Sequence, residues 1–161
     1  MTEPPRADIL RRLRPIPTYE DAPATRPHDI AGVTPSGAPF RLALTAQPGH
    51  PALLLFLKAN CDGCHDLWTG LPSFRAALPE AVRLVVVTKS PEEEDATAIA
   101  TLAEGGARGG VPTVMSSQAL VDYRVLGPPF FVLADAERVR TEGVPWGLDE
   151  TMRAVRAALG A

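Results

Sequence analysis

The sequence predicts an α/β protein with a mixed central sheet and helices on both faces. Three observations predict it. Two near-continuous apolar runs, 52–58 and 82–87, read as central strands covered on both sides. Segments of helical spacing alternate with these runs, which implies parallel strands joined by crossover helices. Late in the chain, a strand at 130–133, a turn at 135–138 and a return strand at 139–144 add an antiparallel hairpin before a closing helix.

Residues 1–39 are rich in proline and arginine and read as an extended arm, with a helical turn or two expected at 8–13. Thr34-Pro35-Ser36-Gly37 is a turn signal between short strands. Phe40-Arg41-Leu42-Ala43-Leu44 alternates as a half-buried strand does. The domain proper is placed at 40–161. After the first buried strand, 62–78 sets Cys64, Leu67, Trp68, Leu71, Phe74 and Leu78 at helical spacing, with Pro72 bending or shortening the helix. Ser90-Pro91-Glu92-Glu93-Glu94 has the chemistry of a helix start, and Ile99, Leu102 and Ala103 supply that helix's apolar face. A glycine-rich, flexible exit is expected at 104–110. A short strand at 112–115 follows, then a short helix at 118–123 capped by Ser116 or Ser117. The closing helix, 147–159, places Leu148, Met152, Val155 and Leu159 on one face.

At 161 residues, one domain with a sizeable core is expected. A net charge of −3 argues against a general nucleic-acid binder, and 6% aromatic residues against a base-stacking surface. No run approaches the roughly 18 apolar residues of a membrane helix. The first residues, Met1-Thr2-Glu3-Pro4-Pro5, lead into no apolar segment of the kind a signal peptide carries. The expected location is therefore cytoplasmic, or exported if the chain is a trimmed form of a longer one.

The only two cysteines form Cys61-Asp62-Gly63-Cys64, between a buried strand and a helix. A bridge three residues long is a poor staple, because it constrains the unfolded chain little. Such a pair is better suited to catalysis or metal binding. At a helix start, unpartnered backbone N–H groups and the macrodipole favour a negative charge. Cys61 there is expected to hold a stabilised thiolate and Cys64, one turn on, to lie within disulfide reach. Cys61 then attacks a substrate disulfide and Cys64 resolves the mixed disulfide. Asp62 opposes the neighbouring thiolate, so a mildly activated, reducing pair is expected rather than a strong oxidant. Two other readings use the same residues. Cys64-His65 completes a haem-attachment pattern, disfavoured because the motif follows a buried strand and no axial partner is evident. Zinc is disfavoured because four ligands are not in view; the other histidines are His28 and His50. Neither a cofactor nor a metal is expected.

Residues 40–160 resemble thioredoxin-fold domains, and more narrowly the TlpA-like group of thiol–disulfide oxidoreductases. Three segments carry the resemblance: Leu53 through Cys64, like the family's active-site strand and motif; Tyr123-Arg124-Val125-Leu126-Gly127-Pro128-Pro129, like its Tyr-x-Val-x-Gly-x-Pro run; and Phe130-Phe131-Val132-Leu133-Ala134-Asp135, like the strand after it. The resemblance implies a three-layer sandwich. It implies that Pro129 is a cis-proline facing the cysteines, and that Pro128 presents backbone to a substrate. Pro112, in a Val-Pro-Thr setting, is rejected for that role because a helix and a second proline-strand unit still follow. Asn60, where the family often has tryptophan, and Trp68 join Pro128 and Pro129 as expected substrate-binding residues. The acid that many thioredoxins bury beneath the pair is here Leu55, so proton transfer to Cys64 falls to Asp66, Lys58 or His65.

The reading is an enzyme that reduces or exchanges disulfides in a protein or small-molecule substrate, with an electron donor the sequence does not name, and with no nucleic-acid or membrane partner. Its rivals are a binding module with a vestigial cysteine pair, whose proline-rich arm engages a partner, and a peroxiredoxin-like peroxidase. The peroxidase is disfavoured because Asn60 and Asp62 do not make the Pro/Thr-rich, arginine-partnered setting of a peroxidatic cysteine.

Overall fold

The computed structural model describes residues 26–160; the helical turn expected at 8–13 and most of the arm lie outside them. The strands are β1 (Ile30–Val33), β2 (Pro39–Leu42), β3 (Ala52–Phe56), β4 (Arg83–Thr88), β5 (Thr113–Met115), β6 (Phe130–Ala134) and β7 (Val139–Gly143). The helices are α1 (Asp62–Thr69), α2 (Leu71–Ala77), α3 (Ala96–Arg108), α4 (Ser117–Asp122) and α5 (Leu148–Leu159). The strands form one sheet in the order β2-β1-β5-β4-β3-β6-β7.

The apolar run at β3 sits at the heart of this sheet. It runs parallel to β4, with Leu55 opposite Val86, and antiparallel to β6, with Leu55 also opposite Phe131. All five of its residues are buried. Alternation divides them between two cores. Leu53 and Leu55 join Cys64, Trp68, Phe74, Ile99 and Val155 beneath α1, α2, α3 and α5. Leu54 and Phe56 join Ile30, Leu120 and Tyr123 on the opposite face, beneath α4 and the β1–β2 hairpin. Each fully buried leucine or phenylalanine contributes about 1.5–3 kcal/mol, so β3 anchors both layers at once.

Four details depart from the sequence reading or refine it. The division between an arm ending at residue 39 and a domain starting at 40 falls inside the β1–β2 hairpin: Ile30 is 1% exposed and its strand belongs to the sheet. Tyr123 fastens the entry to β1, its hydroxyl donating to the His28 carbonyl (2.6 Å) and accepting from the His28 N–H (2.8 Å). The helical segment 62–78 splits at Gly70, and Pro72 falls in the first turn of α2, where its missing N–H costs nothing.

The Ser90–Glu94 helix start is corrected. Those residues make a turn, with Glu93 and Glu94 N–H groups both donating to the Ser90 carbonyl (2.9 and 3.0 Å). The cap of α3 is Asp95, which accepts from Thr97 and Ala98 N–H groups (2.9 and 3.3 Å). The expected flexible exit at 104–110 is corrected as well, because α3 runs to Arg108. Gly106 is in the helix because α3 and α2 touch there: a Cβ on it would stand 2.8 Å from Leu71 Cδ1.

The sheet ends on two short strands. β2 has four residues and opens on Pro39. β7 carries Arg140 and Glu142, and its pairing with β6 is irregular between Leu133 and Ala134.

Candidate active site

β3 delivers the chain to the site, and Leu57-Lys58-Ala59-Asn60 carries it to Cys61 at the start of α1. Two hydrogen bonds hold the loop. The Trp68 indole N–H donates to the Lys58 carbonyl (3.1 Å), and the Ala59 N–H donates to Glu94 Oε1 (3.3 Å). Cys61 is the extended N-cap residue of α1 (φ −148°, ψ 135°), and no side chain caps the helix in its place. Its sulfur therefore stands at the helix end where N–H groups and the macrodipole favour negative charge.

Cys61 and Cys64 are joined in a disulfide, with Cα atoms 5.2 Å apart. The Cys64 N–H donates to the Cys61 carbonyl (3.0 Å), which closes the turn between them. The two cysteines differ in burial. Cys64 is 0% exposed and belongs to the core beneath α1, whereas Cys61 is only half-buried. A thiol that meets a substrate must be reachable, and one that only resolves an intermediate need not be.

The Pro128–Pro129 peptide bond is cis. The Pro129 ring lies against the turn between the cysteines: a Cβ on Gly63 would be 3.1 Å from Pro129 Cγ and 3.5 Å from Cδ. Glycine at 63 is what allows this approach, and any side chain there would press on the ring.

Two clefts adjoin the site. One, of about 620 Å³, is lined by Asn60 and Pro128 together with Lys58, Lys89, Glu93, Glu94, Val121 and Leu126. The other, of about 650 Å³, is lined by Gly63 and Pro129 together with Asp66, Val144 and Trp146. The structure thus brings Cys61, Cys64, Asn60, Pro128 and Pro129 to one place. Trp68 is different: at 2% exposure it is a strut behind the loop and lines neither cleft. Leu55 is fully buried, while Lys58, His65 and Asp66 are all exposed. Among the described residues, no three His, Cys, Asp or Glu side chains cluster as a metal site requires.

The sequence reading gave no site role to Glu94, Val121, Leu126, Val144 or Trp146. A signal for Trp146 was present: Val144-Pro145-Trp146-Gly147 puts a large aromatic in a loop punctuated by proline and glycine.

No family model matches the chain, and no curated protein matches it in sequence. Solved structures do. A secreted disulfide oxidoreductase of Mycobacterium tuberculosis, described as homologous to E. coli DsbE, is 25% identical, with a TM-score of 0.63 over 80% of this chain and 95% of that one. StoA from Bacillus subtilis is 18% identical, with a TM-score of 0.62 over 83% and 99% of the two chains. A thiol:disulfide interchange protein of the thioredoxin family from Chlorobium tepidum is 20% identical, with a TM-score of 0.65 over 87% and 99%. The fold is thioredoxin-like.

Proposed function

We infer that this chain is a thiol–disulfide oxidoreductase that works through Cys61 and Cys64. The observation that carries the reading is the placement of this pair: a disulfide at the N-terminus of α1, one cysteine half-buried and the other fully buried, with the ring of Pro129 against the turn between them. The likeness to disulfide oxidoreductases of known structure supports it.

In the reducing direction the dithiol form acts. The Cys61 thiolate attacks one sulfur of a substrate disulfide; an S–S bond forms between protein and substrate, and the second substrate sulfur leaves as a thiolate that takes up a proton. The Cys64 thiol loses its proton and attacks Cys61 Sγ. The Cys61–Cys64 bond forms, and the first substrate sulfur is released as a thiol. Two electrons pass from the protein dithiol to the substrate, and a thiol donor restores the pair. In exchange, the same steps run backwards from the disulfide seen here.

Asn60, Pro128 and Pro129 border the point of attack, and we assign them to substrate binding. Pro128 offers backbone there, since a proline has a carbonyl acceptor and no N–H. Among the described residues, no helix is long and apolar enough to cross a membrane. A cytoplasmic site of action belongs to the proposal too; the Mycobacterium tuberculosis protein is secreted, and cell fractionation decides between the two compartments.

Insulin reduction by dithiothreitol tests the function. The wild-type chain should accelerate precipitation of the insulin B chain, and Cys61→Ser should abolish the acceleration. Equal rates for the two would leave a binding module with an inert pair. Cys64→Ser should accumulate a mixed disulfide with substrate, visible on a non-reducing gel.

A further inference from the structure

The acidic run Glu92-Glu93-Glu94 lies in the turn between β4 and α3, and its carboxylates are placed differently. Glu92 and Glu93 are exposed, whereas Glu94 is half-buried. Glu94 Oε1 accepts the Ala59 N–H (3.3 Å), which is 35 residues away in sequence and just ahead of Cys61. That N–H has no other acceptor among the described residues. The bond is long for an N–H···O contact, and the charge on its acceptor strengthens it. The Lys58 carbonyl meanwhile accepts the Trp68 indole N–H (3.1 Å). The Lys58 carbonyl and the Ala59 N–H belong to one peptide group. That group is therefore gripped at both ends, from α1 on one side and from the Glu94 turn on the other.

The turn that carries Glu94 is itself braced. Ser90 and Ser117 exchange hydrogen bonds: the Ser90 N–H donates to Ser117 Oγ (2.9 Å), and the Ser117 N–H donates to Ser90 Oγ (2.8 Å). The Ser117 hydroxyl donates in turn to the Glu93 carboxylate. Next to this clamp, the Ser116 N–H donates to the Thr88 carbonyl (2.8 Å). These contacts fasten the turn to the start of α4. On the far side of Glu94, Asp95 is committed to capping α3. The backbone on both sides of Glu94 is thus fixed, and its carboxylate reaches the loop from a rigid base.

We propose that Glu94 is a positioning residue for thiol exchange: its carboxylate holds the Lys58–Ala59 peptide, and through it the Cys61 sulfur, at the N-terminus of α1 once the disulfide is open. This rests on the oxidoreductase reading and adds a residue to that site. In the disulfide form, Cys61 is anchored to buried Cys64. Reduction removes this anchor at the stage when the Cys61 thiolate must stand at the helix end to be stabilised. Cys61 is then located by the turn into α1 on one side and by the gripped peptide on the other. The Glu94 carboxylate also carries a charge that opposes a thiolate. Substitutions separate the two effects. Glutamine keeps an oxygen acceptor and removes the charge, while alanine removes both.

The test uses the full chain, reduced, with the symmetrical disulfide of thionitrobenzoate as oxidant. Cys61 attacks that disulfide, Cys64 then closes the Cys61–Cys64 bond, and both thionitrobenzoates leave as thiolates read by absorbance. Rates are measured across the thiol titration range, and each chain's midpoint is the pH at which the rate reaches half its plateau. Glu94→Ala and Glu94→Gln carry the same net charge, so a difference between them reports the acceptor alone. The midpoint should lie higher in Glu94→Ala than in Glu94→Gln, by about a two- to fivefold loss of thiol acidity, the scale of one charge at a helix end. Glu94→Gln should have its midpoint at or below that of wild type. Urea unfolding of the oxidised forms checks that both variants fold. A carboxylate that served stability alone would lower the unfolding midpoint of Glu94→Ala and leave the two rate profiles superimposed. Superimposed profiles therefore refute the positioning role and leave the oxidoreductase in place. If the wild-type chain releases thionitrobenzoate no faster than Cys61→Ser, the oxidoreductase reading itself falls.

Discussion

Reducing the Cys61–Cys64 bond should destabilise the folded chain modestly, by about 1–2 kcal/mol, and the size follows from the structure. The bridge spans a sequence separation of 3. Closing so short a loop in the unfolded chain removes about 6 cal/mol/K of entropy, or roughly 2 kcal/mol at 25 °C, on the chain-entropy account. That favours the oxidised form. Opposing it, reduction frees a Cys61 thiolate at the N-terminus of α1, which the helix end stabilises by about 0.3–1 kcal/mol. Asp62 and Asp66, both exposed on α1, work against that thiolate and hold the gain near the lower figure. By linkage, a folded state that favours the disulfide makes the pair more reducing than the same cysteines unfolded, by some 20–40 mV at about 30 mV per 1.4 kcal/mol. The assay is urea unfolding of the oxidised chain and of the chain kept in reductant, at one pH, with equal slopes verified. A glutathione redox titration measures the potential directly. A reduced form more stable than the oxidised one by over about 1 kcal/mol, with a potential near about −120 mV as in strong oxidants, would refute the reasoning.

Trp68→Phe should leave the Lys58 carbonyl without its indole donor and cost about 1–3 kcal/mol, read by denaturation, while also slowing thiol exchange because the loop ahead of Cys61 loses a tether. Gly106→Val should cost about 1–3 kcal/mol by forcing a side chain onto Leu71, and a melting temperature equal to wild type would show that α2 and α3 do not meet as described. Burial pushes the Tyr123 hydroxyl from 10.0 up to about 12, with Asp29 and Asp122 adding to it and the His28 hydrogen bond partly opposing. Because the folded value is raised, its contribution is complete below pH 10 and is lost as pH rises through about 12; Tyr123→Phe should remove this alkaline step from the stability curve. The Asp135 carboxyl is held below its ordinary value: burial raises it, but hydrogen bonds from the Arg138 and Glu137 N–H groups and from Arg140 outweigh that. Its contribution is present above about pH 4 and is lost on acidification through the lowered value, so Asp135→Asn should flatten the acid limb of unfolding.

The central strands and the cysteine pair were legible because each is declared locally. A run such as Leu53-Leu54-Leu55-Phe56 has no polar face, so it must be covered on both sides wherever it sits. Cys61 and Cys64 carry their spacing with them. What escaped depended on contacts distant in sequence. Ser90-Pro91-Glu92 has every local mark of a helix start, yet Asp95 provides the cap that α3 uses, and Ser90 instead receives the Ser117 N–H across 27 residues (2.8 Å). Gly105-Gly106 reads as flexible until Leu71 is known to lie against the second of the two. The proline-rich composition before residue 40 hid Ile30, whose burial is created by partners from β5 and α4. At the site, the sequence sets Trp68 on the apolar face of a helix and Trp146 in a loop between proline and glycine. The structure buries the first and leaves the second facing solvent.

The two ends of the sheet bear on the company this protein keeps. An open sheet margin invites a strand from another chain to add on. Here β2 is four residues long and begins with Pro39, which has no N–H to offer. β7 presents Arg140 and Glu142 along a margin whose pairing is already irregular. Neither margin is a long, flat, apolar template. A strand from another chain thus finds little backbone to pair with at either margin, and the sheet is guarded against growing into an aggregate through its edges.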